Sequence, residues 1–128
     1  MKTGLKFNLL ALAVLTIFMM TFPSPVPGDE LHEKGQQVFQ EKACVGCHTI
    51  GGGKLSGPDL KGVTQRRKEE WIRQWLKSPD TMVFTDPIAK QLLQEYLVPM
   101  PNMGLTDEEI DALISYFKNA DSENGDKD

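Results

Sequence analysis

The sequence predicts an all-α domain of four short helices joined by irregular segments. No stretch alternates apolar and polar residues as a half-buried strand does, and no internal repeat is present. The clearest periodic segment contains Ile110, Leu113, Ile114 and Phe117, which fall on one face of a helix. Proline and glycine residues separate this segment from the others and set the helix boundaries.

The first 28 residues have the composition of a secretory signal peptide. Lys2 and Lys6 give a positive start, and the apolar run from Phe7 to Phe22 is shorter than the roughly 20 residues that a transmembrane helix requires. We expect cleavage after Gly28. The alternative is an uncut segment that anchors the domain to the membrane. Either outcome places the domain in the periplasm or on the outer face of the cytoplasmic membrane.

The mature chain is expected to form one domain over residues 29–120, followed by an acidic tail over residues 121–128. Without Lys2 and Lys6 the chain has 12 basic residues against 18 acidic ones, a net charge of about −6. This charge argues against nucleic acid as a partner and is compatible with a protein partner that presents a basic patch. We expect a monomer.

The first three helices are predicted from their boundaries. The first covers about residues 30–42 and contains Gly35, and a glycine inside a helix usually marks the close approach of another segment. Residues 49–65 are glycine-rich and predict a loop. The second helix covers about residues 68–77 and ends before Pro79, and the third starts at Asp86-Pro87 and continues to about Leu97.

The fourth helix has the most specific start signal. Thr106 and Glu109 have the spacing of a capping box, in which each side chain binds the main-chain N–H of the other residue. Leu105 before the cap and Ile110 after it suit a hydrophobic staple. A domain of this size with so many loops buries little apolar area unaided, so a large apolar cofactor would stabilise it.

The motif that indicates function is Cys44-Val45-Gly46-Cys47-His48. Cys-x-x-Cys-His is the attachment sequence of c-type haem. Two thiols one turn apart can form thioethers with both vinyl groups of the porphyrin, and the following histidine is then held below the iron as an axial ligand. We therefore predict one covalently bound haem c, with its iron ligated by His48.

Two other interpretations of the same motif fit the sequence less well. A thioredoxin-like dithiol requires a βαβ pattern around the cysteines, and the sequence has none. A structural zinc site requires a fourth ligand, and His32 is the only other histidine. For the second axial ligand of iron, Met100 is preferred because prolines stiffen the segment around it; Met103 is the nearest rival and Met82 is remote.

The chain resembles the small bacterial monohaem class I cytochromes c over about residues 31–119. The landmarks, in chain order, are Gly35 and Phe39, the Cys44–His48 motif, Gly57-Pro58-Asp59-Leu60, Met100-Pro101-Asn102, Gly104–Ile110 and Tyr116. The resemblance implies the class I cytochrome c fold, in which short helices and loops surround one haem. It also implies that the Pro58 carbonyl accepts the Nδ1–H of His48 and that Leu60 packs on the proximal side of the haem.

The resemblance assigns two further groups of residues. Gly35 should let the first and last helices cross closely, with Phe39 and Tyr116 at the crossing. Hydrogen-bond partners for the haem propionates are expected among Trp71, Trp75, Arg66 and Arg67. The tryptophans could equally be core residues, and the arginines could belong to a solvated face; Trp75 is the residue that we include in the predicted site.

The expected function is electron transfer between respiratory redox proteins, without bond-making catalysis. His48 and Met100 would fill both axial positions of the iron and leave no site for a substrate. Two alternatives remain open. The chain could be a cytochrome c subunit of a larger reductase or oxidase, or it could be a haem protein with an open axial site that binds gas or acts as a peroxidase.

Overall fold

The computed structural model describes residues 27–122, and this part of the chain is helical with no strand. The predicted signal peptide up to residue 26 and the tail from residue 123 lie outside the described residues. The all-α prediction is confirmed. The elements are α1 (Pro27–Glu41), a 3-10 turn (Cys44–Gly46), α2 (Val63–Arg66), α3 (Glu69–Lys77), α4 (Pro79–Thr85), α5 (Pro87–Tyr96) and α6 (Asp107–Ser122).

All four predicted helices are present, as α1, α3, α5 and α6, and α2 and α4 are additional short helices. The residue before Pro79 ends α3, as predicted, but Pro79 is also the first residue of α4. A proline at the first position of a helix gives up no hydrogen bond, because the first N–H groups of a helix have no intrahelical partner. One proline therefore ends one helix and begins the next.

The last helix is longer than the sequence predicts, because it includes the first two residues assigned to the tail. Asp121 is 7% exposed. Its carboxylate accepts hydrogen bonds from the main-chain N–H of Gly62, from the N–H of Thr64 at 3.0 Å and from the Thr64 hydroxyl at 2.5 Å. These contacts fix the start of α2 to the end of α6, so Asp121 belongs to the folded domain.

Helices α1 and α6 cross at Gly35. A Cβ at this position would lie 2.0 Å from the main-chain oxygen of Ala112 and 2.7 Å from Cβ of Tyr116. The ring centroids of Phe39 and Tyr116 are 5.7 Å apart, and those of Phe39 and Phe117 are 6.2 Å apart. The predicted close crossing is thus confirmed. The core built around it consists of Val38, Phe39, Ile72, Leu76, Leu105, Ile110, Leu113, Ile114 and Phe117.

Side chains cap the last two helices as the sequence predicts. The Thr106 N–H donates to the Glu109 carboxylate at 2.9 Å, and the Glu109 N–H donates to the Thr106 hydroxyl at 3.2 Å. At the start of α5, the Asp86 carboxylate accepts from the Ala89 N–H at 2.9 Å. Among the helices of residues 27–122, none is long and apolar enough to cross a membrane.

Candidate haem site

A cavity of about 680 Å³ lies between the Cys44–Val63 region, α3, α5 and the segment that precedes α6. Its walls are predominantly apolar. Every residue that the sequence assigns to the site lines this one cavity, namely Cys44, Cys47, His48, Pro58, Leu60, Trp75 and Met100. The chain thus brings together residues that are up to 56 positions apart in sequence.

The Cys44–His48 segment forms a tight turn at the cavity wall. Ala43 has a left-handed conformation (φ 56°) that ends the preceding turn, and the main-chain oxygen of Cys44 accepts from Cys47 N–H at 3.1 Å and from His48 N–H at 2.9 Å. Both cysteines are half-buried free thiols. Burial raises the pKa of the Cys44 thiol.

The orientation of His48 is fixed by its neighbours in the loop. Its Nδ1 lies 2.9 Å from the Pro58 carbonyl oxygen, and because a carbonyl can only accept, Nδ1 carries the proton. The predicted hydrogen bond is confirmed. In the neutral imidazole this leaves the lone pair on Nε2, as an iron ligand requires. Gly57 is required beside the ring, since a Cβ there would lie 2.6 Å from Cε1 of His48.

The segment after α5 brings two methionines to the cavity. Met100 and Met103 are both half-buried and both line it, whereas Met82 is not among its lining residues. The side chain of Asn102 connects this segment to its surroundings: its Nδ2 donates to the Asp80 carboxylate at 2.9 Å, and its Oδ1 accepts from Gly104 N–H at 3.0 Å. Of the three methionines considered as candidate ligands, two therefore lie at the cavity.

The two tryptophans of α3 form a stacked pair on the cavity wall. The ring centroids of Trp71 and Trp75 are 5.6 Å apart and the planes differ by 9°. Nε1 of Trp71 is buried and makes no hydrogen bond of acceptable geometry. The indole N–H nevertheless lies close to the Asp86 carboxylate and, after the Ala89 N–H, is among the groups that lower the pKa of Asp86. A buried donor in this state can serve a carboxylate of a bound group. Trp71 is therefore a stronger candidate than Trp75 for a propionate contact.

The arginines have other partners. Arg66 donates to the main-chain oxygens of Lys61, at 2.5 Å, and of Asp59, at 3.0 Å. Arg67 lies over the ring of Trp71, with its guanidinium carbon 5.6 Å from the ring centroid. Both side chains line the cavity, but their observed contacts support the loop and the tryptophan pair.

These features fit a covalently bound haem. The cavity offers two free thiols, an imidazole with an available Nε2, thioether sulfurs, apolar walls and a buried indole N–H that can serve a carboxylate. Nothing in this set resembles a zinc centre: the described residues contain no group of three or more His, Cys, Asp or Glu side chains that could hold a metal ion. The dithiol alternative lacks its strands within residues 27–122.

A family model described as cytochrome c matches residues 32–121. The chain belongs to the cytochrome c family. This cytochrome c accordingly carries covalently attached haem c and functions in electron transfer. Its fold is similar to that of a cytochrome c from Rhodothermus marinus, with a TM-score of 0.72 and 28% identity over 83% of this chain and 89% of that chain. An engineered form of the same protein, Rma TDE, gives a TM-score of 0.70 and 27% identity over 81% and 88% of the two chains.

Two relatives of this cytochrome c are parts of larger enzymes by name. Cytochrome c oxidase subunit 2 of Alkalihalophilus pseudofirmus is 29% identical over 102 residues, which cover 72% of this chain and 26% of the relative. A nitric oxide reductase subunit of Stutzerimonas stutzeri is 26% identical over 107 residues, which cover 77% of this chain and 66% of the relative. The chain therefore spans about a quarter of one relative and just under two thirds of the other.

Sequence reasoning missed two features of the site. Gly57 is predicted only as part of a motif, yet it makes room for the His48 ring. The inclusion of Trp75 in the site stays a prediction. Asp59 has no predicted role, but its carboxylate binds three main-chain N–H groups of the loop beside His48. The signal for Asp59 is present in the sequence, since a glycine-rich run closely precedes a short acidic side chain.

Proposed function

We propose that this cytochrome c is an electron carrier whose haem iron has His48 and Met100 as axial ligands, and that it exchanges single electrons with respiratory redox proteins outside the cytoplasmic membrane. The observation that supports this proposal best is the shared cavity, which has the Cys44–His48 turn and Met100 in its walls. When bound, the haem supplies an iron that alternates between the ferric and ferrous states.

Each named residue has a defined task in this proposal. Cys44 and Cys47 hold the porphyrin covalently, and Leu60 covers its proximal side. His48 presents Nε2 to the iron because its Nδ1–H is bound to the Pro58 carbonyl. The Met100 sulfur favours the ferrous state and so raises the reduction potential. With two protein ligands the iron has no position for a substrate, and the chain performs no bond-making catalysis.

The proposed docking region for partners is the exposed surface at the thioether turn. Val45, between the two cysteines, is 41% exposed. Contacts between redox proteins are small and brief, so a limited apolar surface of this kind is sufficient. The chain acts as a monomer in this scheme and is held at the membrane only if its N-terminal segment stays uncut.

Absorption spectra of the haem-loaded protein test the ligand set. We expect the oxidised wild type and the Met103→Ala variant to show the weak long-wavelength band of methionine sulfur on ferric iron, and Met100→Ala to lack it. Loss of the band only in Met103→Ala would reassign the ligand. A wild type that lacks the band, with a ferrous form that binds carbon monoxide readily, would replace electron transfer by a ligand-binding function.

A second candidate is that this chain is the cytochrome subunit of a larger complex, which is compatible with the two relatives that are subunits of an oxidase and a reductase. Purification from both the soluble and the membrane fractions of the native cells separates the two candidates. A carrier elutes alone, whereas a subunit elutes with large partner chains. A salt wash before extraction shows whether the N-terminal segment holds the protein at the membrane.

A further inference from the structure

The Asp59 carboxylate is the centre of a small hydrogen-bond network at the edge of the haem site. Its Oδ1 accepts from the N–H groups of Gly51, at 2.8 Å, and Lys61, at 2.9 Å, while Oδ2 accepts from Gly53 N–H at 2.7 Å. Burial alone would raise the pKa of Asp59, but these three donors, together with a smaller contribution from the Thr49 side chain, outweigh it and hold the pKa below its ordinary value. The carboxylate is therefore charged at neutral pH.

The glycine-rich run is shaped to bind this carboxylate. Gly51 and Gly53 have φ angles of 83° and 89°, which residues with a side chain rarely adopt. Alternating with Gly52, they turn two N–H groups towards the same point, as in a main-chain anion nest. The anion in this nest belongs to the chain itself. The loop of residues 50–56 is thereby closed onto the segment that contains Asp59.

That segment also orients the haem ligand. Residues 47–49 and 57–60 run side by side, joined by the N–H of Gly57 to the oxygen of Cys47, at 2.9 Å, and by the N–H of Leu60 to the oxygen of Thr49, at 2.8 Å. Between these two bonds, the Pro58 carbonyl accepts from Nδ1 of His48. Asp59 is the residue next to Pro58, and it is held by its side chain and by the Arg66 bond to its main-chain oxygen.

We propose that Asp59 is a positioning residue for the axial histidine: by binding the Gly51 and Gly53 amides, its carboxylate fixes the Pro58 carbonyl against Nδ1 of His48. The proposal rests on the proposed function, in which His48 ligates the iron. A firmly held acceptor makes the imidazole a stronger donor to the metal, which favours the ferric state. A looser acceptor weakens this effect, so the reduction potential rises.

The test uses the haem-loaded full chain and two measurements. One is the reduction potential, and the other is the rate at which the His48 Nδ1–H exchanges with deuterium, followed by NMR. We expect Asp59→Ala to raise the potential and to accelerate the exchange, with Asp59→Asn intermediate because it keeps one acceptor oxygen. Gly53→Ala should act in the same direction, because an alanine is strained at the φ angle of 89° that Gly53 adopts. The added Cβ has no atom within 4 Å, so the effect would come from the backbone conformation and not from a steric clash.

Gly53→Ala separates positioning from charge, because it leaves the Asp59 charge in place. Glu108→Gln, at an exposed position of α6, is the matched control for the loss of one negative charge; it should leave the Nδ1–H exchange rate unchanged. If the Gly51 and Gly53 amides exchange faster in these variants while the His48 Nδ1–H rate stays at the wild-type value, Asp59 only orders a surface loop and the proposal is wrong.

A failure of the proposed function would be seen in the absorption spectrum and not in the exchange rates. A wild type without the methionine band would overturn the His48–Met100 assignment, and the comparison of exchange rates among the variants would still decide the role of Asp59. If Asp59→Ala does not accumulate as folded protein, Asp59→Asn and Gly53→Ala supply the same comparison, and an unchanged His48 rate in both would overturn the proposal.

Discussion

Replacement of Gly35 by alanine tests whether the close crossing of α1 and α6 holds the domain together. The new Cβ would lie 2.0 Å from the Ala112 oxygen, and the helices must separate by about 1.4 Å to restore an ordinary 3.4 Å contact. A main-chain oxygen cannot rotate away, so the aromatic contacts of Phe39 loosen as well. Overpacking of this kind costs about 3 kcal/mol, against a gain of about 1 kcal/mol in helix propensity.

The expected result is a net loss of about 2 kcal/mol in the free energy of unfolding, or a decrease of roughly 8 to 16 °C in Tm for a domain of this size. Guanidinium unfolding of the haem-loaded protein, followed by circular dichroism, measures it. Gln36→Ala, at an exposed position of the same helix, is the control and should change stability little. A Gly35→Ala variant as stable as the wild type would refute the argument.

Two further predictions concern the haem environment and acid stability. Trp71→Phe should move the pH dependence of the reduction potential to higher pH, because a buried N–H no longer favours the charged propionate; an equal shift in Trp75→Phe would contradict the assignment. The pKa of Glu69 is lowered, mainly by its bond to Lys118, and that of Asp107 by its bond to Lys77. A lowered folded-state pKa stabilises the protein above the unfolded value of about 4, and this contribution is lost as the pH falls through the folded value. The free energy of unfolding should therefore stay level from pH 7 to 5 and decrease below about pH 4. The decrease should be less steep in Lys118→Met, which lacks one of the two ion pairs. A loss of stability that occurs mainly above pH 5 would be inconsistent with these pairs.

The parts of the structure that the sequence predicted depend on short-range chemistry. The Thr106–Glu109 capping box and the Asp86 cap each involve residues three positions apart, and both are present as hydrogen bonds. The Cys44–His48 turn is equally local. In each case the types of a few neighbouring residues nearly determine the local backbone geometry, so a single sequence is enough to predict it.

The parts that the sequence did not predict depend on distant partners or on a residue with two roles. Helix α2 has only four residues, and its start is held by Asp121, 57 and 59 positions further along the chain. Helix α4 is not predicted, because Pro79 has two roles. It ends α3, which the sequence indicates clearly, and it also begins α4, which the sequence does not indicate. The preference for Met100 over Met103, which rests on the flanking prolines, also stays a prediction, because both methionines line the same cavity.

The α1–α6 crossing also determines how the domain must fold. Gly35 and Ala112 are separated by 77 positions, so their contact closes a loop that includes most of the described chain, and closing it has an entropic cost that increases slowly with loop length. Proteins whose core depends on such distant pairs have high contact order and fold more slowly than helical bundles with local contacts. A chain shortened before α6 has no surface to cover Val38 and Phe39, and so neither terminal helix can be removed from a minimal version of this cytochrome.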